Sequence, residues 1–256
     1  MLPREHGAYG QIAFPLIAAY AVAGVSTASL LMTVTVIAGF LAHEPAAIVL
    51  GQRGGRVKRE LRVSATRWLV CCLVVGVAAG LAAVSRLDAV TRWSLAIPAV
   101  PAVALMLAMI KGREKSWFGE AAAALAFAGA AVPIALASGA SMDMALAVAI
   151  PFALLFTTTT LAVRVVVLRV RGGGDPGAAA ATQRAALILS GISTLMIGAL
   201  AMTGWLASSV LIAAAPGLLT GVIVAVRPPA ATRLRSLGWS LVAVSTLTTL
   251  IVIATA

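Results

Sequence analysis

The chain has 256 residues, of which 61% are hydrophobic and 11% charged, and its formal net charge at pH 7 is +11. A soluble domain carries about a quarter charged residues, so water is not the main solvent of this chain. Its long apolar runs lack the alternating pattern of barrel strands and therefore predict an all-α membrane protein. The basic balance does not indicate a nucleic-acid partner, because membrane proteins keep Lys and Arg in their cytoplasmic loops.

Nine apolar segments divide the chain, separated by charged, Gly-rich or Pro-rich stretches. They lie at about 8–25, 28–50, 68–84, 94–110, 121–139, 145–168, 185–205, 208–226 and 237–256. Because about 20 apolar residues cross the hydrocarbon core of a bilayer, the segments predict about nine transmembrane helices. All of them belong to one predicted transmembrane domain, residues 1–256.

The connections after the second, fourth, sixth and eighth segments are strongly basic. They hold Arg53, Arg56, Lys58, Arg59, Arg62, Arg67, Lys111, Arg113, Lys115, Arg169, Arg171, Arg184, Arg227, Arg233 and Arg235. The opposite side of the predicted membrane has Arg86 and Arg92 alone. By the positive-inside rule, we expect the N-terminus in the cytoplasm and the C-terminus on the opposite side of the membrane.

Similar residues open and close two halves of the chain, which predicts a parallel repeat of four helices. Basic, aromatic and acidic side chains open the first half at 4–10 and the second at 115–120. A basic residue followed by glycines ends the second segment at 53–55 and the sixth at 171–174. The predicted units span about 1–110 and 111–226, and the ninth helix follows them.

Ionisable side chains collect near the predicted cytoplasmic face. A charge at the centre of a transmembrane helix costs about 2.5 to 3.5 kcal/mol, so such residues indicate a functional site. His43 and Glu44 precede Pro45, which removes a backbone donor and lets carbonyls face a cavity. A helix end that has reached the headgroup zone is the alternative interpretation. The predicted catalytic residues are His6, His43, Glu44 and Glu120.

Basic and aromatic side chains near the same face are the predicted ligand contacts. Arg164 lies inside the sixth segment, where it needs a carboxylate, a phosphate or water, and Glu44 and Glu120 are candidate partners. A structural role suits Glu120 equally well, because a carboxylate is stabilised at a helix N-terminus and can pair with Lys115. The predicted substrate-binding residues are Arg53, Lys115, Trp117, Arg164 and Arg169.

A metal site is an alternative use of the histidines. His6, His43 and either Glu44 or Glu120 have the residue types of a two-histidine, one-carboxylate site. No spacing motif supports this arrangement, so no metal ligands are assigned. A metal or haem protein built on His6 and His43 is retained as an alternative.

Three segments resemble the YwiC-like family of bacterial membrane proteins. They are Pro3-Arg4-Glu5-His6-Gly7-Ala8, His43-Glu44-Pro45 and Lys115-Ser116-Trp117-Phe118-Gly119-Glu120. The resemblance extends over nearly the whole chain. It implies a protein of a bacterial cytoplasmic (inner) membrane and no particular reaction.

The layout is also similar to that of the UbiA superfamily of intramembrane prenyltransferases. Residues 111–119, followed by a helix of small residues, are similar to a Lys-Arg-x-Thr segment of that superfamily. This resemblance implies a nine-helix bundle with a cytoplasm-facing cavity. Those enzymes hold magnesium with two aspartate-rich motifs, and this chain has neither, so no cofactor is assigned and magnesium is not favoured.

Two functional hypotheses follow. The first is a prenyltransferase-like enzyme that binds an isoprenoid or another membrane lipid, with basic side chains on phosphate and His43 or Glu44 as acid or base. The second is a non-catalytic binder or carrier of an anionic lipid or a quinone-like molecule. Alanine at His43 and Glu44 separates them, because it should abolish catalysis and leave binding largely intact.

Overall fold

The computed structural model of the protein describes residues 6–170 and 176–255. Every regular element in these two ranges is helical, which confirms the predicted all-α class. The α-helices are α1 (His6–Ala23), α2 (Thr27–Leu50), α3 (Gly55–Val84), α4 (Ala89–Ser94), α5 (Ala96–Ile110), α6 (Trp117–Gly129), α7 (Ala131–Ala137), α8 (Met142–Val170), α9 (Pro176–Met202), α10 (Ser208–Val226) and α11 (Leu234–Thr255).

The helices are long and apolar enough to form a polytopic membrane bundle. Two pairs of short helices run on as continuous apolar stretches, α4 with α5 over Ala89–Ile110 and α6 with α7 over Trp117–Ala137. Counted this way, eight stretches of the described residues have the length and composition of membrane spans. α1 adds a shorter apolar helix at Gly7–Ala23. The protein is therefore a multi-pass membrane protein, as the apolar segments predict.

Several helices begin earlier than hydropathy alone predicts. α3 begins at Gly55, within the basic stretch, because Arg, Lys and Glu are good helix formers, and Arg56 pairs with Glu60 one turn later at 2.8 Å. α4 begins after Asp88, whose carboxylate accepts a hydrogen bond from the Thr91 amide at 2.8 Å. Hydrogen bonding to the side chain of Thr91 and to its amide lowers the pKa of Asp88. Polar residues thus extend helices beyond their apolar portions.

Small residues bring the central helices into close contact. A Cβ atom at Gly217 of α10 would lie 2.8 Å from Leu155 of α8, and one at Gly221 would lie 3.0 Å from Thr158. Glycine at these positions lets the two backbones approach, as is common between membrane helices. Phe152 of α8 is fully buried in the main apolar cluster, to which α1, α2, α6, α7 and α11 also contribute. α8 is therefore the central helix of the bundle.

One end of the bundle carries the basic connections. The helices α2, α5 and α8 end there, and the helices α1, α3, α6 and α11 begin there. We call this end of the bundle the basic end. Gln52, in the turn after α2, donates a hydrogen bond to the Met109 carbonyl of α5 at 3.1 Å. Gly51 ends α2 in the left-handed conformation with φ of 85°, which turns the chain toward that neighbour. This contact fixes the turn that carries Arg53.

Candidate functional site

Arg53 is held between two carboxylates at the basic end. It donates three hydrogen bonds to Glu44 of α2, from Nε to Oε1 at 3.0 Å and to Oε2 at 3.2 Å, and from Nη2 to Oε2 at 2.7 Å. Its Nη1 donates to Oε1 of Glu114 at 2.5 Å. Glu114 belongs to the 111–116 connection between α5 and α6. Arg53 therefore joins the end of α2 to a segment 61 residues further along the chain.

These three side chains are largely withdrawn from solvent. Their exposed fractions are 20% for Arg53, 13% for Glu44 and 9% for Glu114. The hydrogen bonds that Arg53 donates to Glu44, above all, and to Glu114 raise the pKa of Arg53, against the opposing effect of burial. A bidentate guanidinium pair has a fixed geometry, and solvent screens it less at this burial than it screens an exposed ion pair. Arg53 is thus a fixed cation that stabilises both carboxylates.

His43 adds a fourth ionisable group, and together the four residues His43, Glu44, Arg53 and Glu114 form what we call the Arg53 cluster. The imidazole Nε2 lies 3.4 Å from Oε2 of Glu114. This oxygen is buried and has no hydrogen-bond partner among the described residues. With His43 neutral and both carboxylates ionised, the cluster carries one net negative charge. A proton on the imidazole would balance that charge.

A glycine allows the 111–116 connection to fold back onto α6. A Cβ atom at Gly119 would overlap the carbonyl oxygen of Glu114, so no side chain is tolerated there. Ser116 begins the helix, since its hydroxyl accepts a hydrogen bond from the Gly119 amide at 3.2 Å. The segment from Glu114 to Glu120 is therefore a tight helix start, with Glu114 against Arg53 and Glu120 against Arg164.

Glu120 forms the second charged pair of the basic end. Arg164 of α8 donates from Nη1 to Oε2 of Glu120 at 3.1 Å and to the main-chain carbonyl of Lys115 at 2.7 Å. The exposed fractions are 25% for Arg164 and 34% for Glu120. Of the two carboxylates considered from the sequence, Arg164 thus contacts Glu120, and Glu44 binds Arg53 instead.

A pocket of about 290 Å³ begins at this second pair. Its walls come from α1, α6, α8 and α11, and we call it the α8 pocket because one face of α8 runs along it. The α8 face extends from Leu155 to Val167, about 18 Å at a helical rise of ~1.5 Å per residue. The lining residues are Gly7, Gly10, Gln11, Phe14, Glu120, Leu155, Phe156, Thr159, Thr160, Val163, Arg164, Val167, Gly238, Leu241, Val242 and Ser245.

The interior of the α8 pocket is apolar, with hydroxyl groups that already donate elsewhere. Thr159 donates to the Leu155 carbonyl at 2.5 Å, and Ser245 donates to the Leu241 carbonyl at 2.8 Å. Gln11 of α1 reaches across the pocket and donates to the Thr160 hydroxyl at 3.3 Å. Among the described lining residues, charge is therefore confined to the Glu120 and Arg164 end, and the rest of the wall suits a hydrocarbon chain.

The remaining predicted site residues lie apart from these two groups. Lys115 is exposed and contributes its carbonyl to Arg164. Trp117, 59% exposed, packs edge-on against Phe118 and lines an apolar groove between α5, α6 and α8. Arg169 donates to Gln183 of α9 at 2.9 Å. His6 is the first residue of α1, and its side chain lies outside the described part of the structure.

Glu114 is the residue that sequence reasoning missed. It is the lone acidic residue of the stretch from 111 to 115, where Lys111, Arg113 and Lys115 surround it. An isolated carboxylate within a basic connection near the membrane is a signal that could have identified it, because such a carboxylate can pair with an Arg or Lys of another basic connection. Its partner could not be identified from the sequence, because the fold brings Arg53 to it from a distant part of the chain.

The described side chains bring together no group of three His, Cys, Asp or Glu residues that could hold a metal ion. The proposed combination of His6 with His43 involves a side chain outside the described residues. A metal or haem site on these two histidines therefore stays a prediction.

The fold and the charged groups at the basic end define a polytopic helical membrane protein. The family model described as YwiC-like protein matches residues 2–135, more than half of the chain. The protein therefore belongs to the YwiC-like family. The match contains the whole Arg53 cluster and Glu120, and Arg164 lies beyond it.

No curated protein and no solved structure matches the chain. The resemblance to the UbiA superfamily accordingly stays a prediction.

Proposed function

We propose that this protein binds a single-chain anionic amphiphile, such as an isoprenoid phosphate, in the α8 pocket. The carrying observation is the position of Arg164 at the head of an apolar slot. In this proposal the anionic head binds the guanidinium, and the tail lies along α8 toward Leu155 and Phe156. The lipid class is the one expected from the sequence, and the proposal adds a residue for the head and a helix face for the tail.

The hydrogen bonds of Arg164 support an anionic head. A guanidinium has five N–H donors, and Arg164 directs Nη1 alone to Glu120 and Lys115. Its Nε and Nη2 groups make no hydrogen bond to any described residue. Two adjacent N–H groups match the two oxygens of a phosphate or carboxylate. Glu120 in turn holds the guanidinium in place, so that the site is formed before the ligand arrives.

The size of the pocket favours one hydrocarbon chain. Ligand pockets commonly enclose about 300 to 1,000 Å³, and the α8 pocket lies at the lower limit of that range. A lipid with two acyl chains would leave one of them outside. An isoprenoid or a simple alkyl phosphate therefore fits the slot better than a phospholipid does.

The basic end is proposed to face the cytoplasm. Its connections hold most of the Lys and Arg residues of the chain, which is the pattern of cytoplasmic loops. The ligand head would then lie at the inner surface of a bacterial cytoplasmic membrane, and the tail would lie in the inner leaflet.

The proposal has two forms. In one the protein binds the lipid without a reaction, and in the other it transfers a prenyl group. Among the described lining residues Glu120 is the carboxylate, so an acid–base role is assigned to it first. Glu44 is engaged by Arg53, and neither it nor His43 lines the pocket. Glu120→Gln should therefore abolish turnover with an isoprenyl diphosphate if the protein is an enzyme, whereas the same change to a pure binder alters affinity alone.

The binding proposal is tested with purified protein in lipid nanodiscs and dodecyl phosphate as the probe. Arg164→Gln should weaken binding by at least about tenfold, because it removes a charge-assisted bidentate contact. Arg62→Gln is the matched control, since Arg62 is exposed on α3, away from the pocket. Equal affinities of the wild type and the Arg164→Gln variant would overturn the proposal.

A further inference from the structure

We infer that the apolar groove between α5, α6 and α8, which we call the α5 groove, binds an anionic phospholipid from the leaflet at the basic end. The head of the lipid lies against the cations of the 111–116 connection, and its acyl chains lie in the groove. Among the described residues, the groove and the α8 pocket share none of their lining. This second site therefore does not rest on the ligand proposed for the pocket.

The α5 groove is large and open toward the surrounding lipid. Its volume is about 670 Å³, more than twice that of the α8 pocket. Its floor includes the buried residues Ala122 of α6 and Ala149 of α8, whereas its rim includes the exposed residues Val100 of α5 and Leu125 of α6. Since the α8 pocket has room for one hydrocarbon chain, the α5 groove has room for the two chains of a phospholipid.

The length of the groove corresponds to one leaflet of a bilayer. On α6 its lining extends from Trp117, at the basic end, to Gly129, about 18 Å at a rise of ~1.5 Å per residue. At that depth α5 contacts α6, because a Cβ atom at Gly129 would lie 3.2 Å from the side chain of Ile97. One leaflet contributes about 15 Å to the hydrocarbon core, half of its thickness of about 30 Å. Acyl chains from the leaflet at the basic end therefore match the groove.

Three cations at the basic end of the groove have no partner among the described residues. The 111–116 connection joins α5 to α6, both of which line the groove, so it crosses that end. Lys111, Arg113 and Lys115 are exposed, and their side chains form no hydrogen bond or ion pair with any described residue. The carboxylate between them, Glu114, is already bound to Arg53. The connection thus offers three positive charges to an anionic head group.

Trp117 marks the boundary between the head group and the acyl chains. It follows Lys115 by two residues, is largely exposed, and packs edge-on against Phe118 with ring centroids 6.0 Å apart. Tryptophan is enriched at the interface between membrane and water, where its ring lies at the level of the head groups. The cations therefore precede this level along the chain, and the apolar groove follows it, which is the order of the two parts of a phospholipid.

Charge also favours a phospholipid over a second copy of this chain in the groove. A second copy in the same membrane would bring its own basic end to the same side, and the chain carries a net charge of +11. Like charges would then meet beside the three unpartnered cations, at a cost in free energy. An anionic lipid supplies the opposite charge at that position.

The inference is tested by quenching of Trp117 fluorescence with brominated lipids in reconstituted vesicles. Phenylalanine replaces the other four tryptophans, all of them exposed, so that the signal comes from Trp117; they are Trp68, Trp93, Trp205 and Trp239. The vesicles contain phosphatidylglycerol and phosphatidylcholine in varied proportions, and one or the other lipid is brominated along its acyl chains. The two quenching curves together give the preference of the groove for the anionic lipid.

Two matched pairs of variants separate the head contact from the groove. A combined change of all three cations of the connection to Gln removes the head contact, and its control removes the same charge from exposed positions of α3, with Arg59→Gln, Arg62→Gln and Arg67→Gln. Ala104→Phe fills the groove, and Ala78→Phe adds the same side chain to an exposed position of α3 as its control.

Trp117 should show at least about a fivefold preference for phosphatidylglycerol, because each basic side chain near an anionic surface contributes a factor of about that size. The loss of the three cations should abolish the preference, Ala104→Phe should lower it, and both controls should retain it. Equal quenching by the two lipids would show that any bilayer lipid fills the groove, and quenching by neither would show that a second copy covers it; each result overturns the inference. An equal loss of preference in the α3 control, or a preference that Ala104→Phe leaves unchanged, would overturn it as well.

Discussion

Arg164 donates a hydrogen bond to the Lys115 carbonyl at 2.7 Å, and the residue before Lys115 is Glu114, which binds Arg53. The pocket and the Arg53 cluster therefore share one backbone segment, the 111–116 connection. A change that displaces Glu114 should be transmitted to Arg164 without any contact between the two side chains.

Glu114→Gln should destabilise the protein by about 1 to 3 kcal/mol, because it leaves Arg53 with one carboxylate in a largely buried site. Reversible unfolding in mixed detergent micelles measures the loss. Glu60→Gln is the control, since Glu60 forms an exposed pair with Arg56 whose removal should cost no more than about 0.5 kcal/mol. Equal losses for the two variants would contradict a special role of the Arg53 cluster.

Gly119→Ala should displace the 111–116 connection, because the added methyl group would overlap the Glu114 carbonyl oxygen. We expect a loss of about 1 to 3 kcal/mol in the same unfolding measurement, as is typical of overpacking. The matched change Gly191→Ala should be neutral or stabilising by up to about 1 kcal/mol, since nothing lies near that position and Ala is the better helix former. Stability changes of the same sign and size at both sites would show that the close contact has no consequence.

The membrane helices were predictable because hydropathy is a property of each segment by itself. Their starts were less so, since charged residues such as Arg56 and Glu60 extend α3 beyond its apolar part, and capping residues such as Asp88 begin α4 early. Helix propensity and capping therefore determine where each helix begins, in addition to the hydrophobic pattern.

The candidate site was only partly predictable, because charge identifies residues but not their partners. Arg164 was expected to need a carboxylate, yet the choice between Glu44 and Glu120 depends on how α2, α6 and α8 pack. Glu114 was missed because it lies among cations in sequence, and its burial against Arg53 arises from contacts between distant segments. Of the predicted site residues, the fold thus places His43, Glu44 and Arg53 in one group and Glu120 and Arg164 in another, and the 111–116 connection joins the two groups.

The proposed orientation predicts opposite accessibility for Arg62 and Arg86, which flank the apolar part of α3. In a background in which Ala replaces Cys71 and Cys72, Arg62→Cys and Arg86→Cys supply single thiols. A membrane-impermeant maleimide added to intact bacterial cells should label the Arg86→Cys variant and spare the Arg62→Cys variant. Labelling of the Arg62→Cys variant alone would place the basic end outside the cell.

The most direct test of ligand binding in the α8 pocket is photocrosslinking with a dodecyl phosphate that carries a diazirine along its tail. Mass spectrometry of the labelled protein should place the adducts on the pocket faces of α1, α8 and α11, and Arg164→Gln should remove them. Adducts confined to the apolar groove beside Trp117, or adducts in the pocket that persist in the Arg164→Gln variant, would contradict the account.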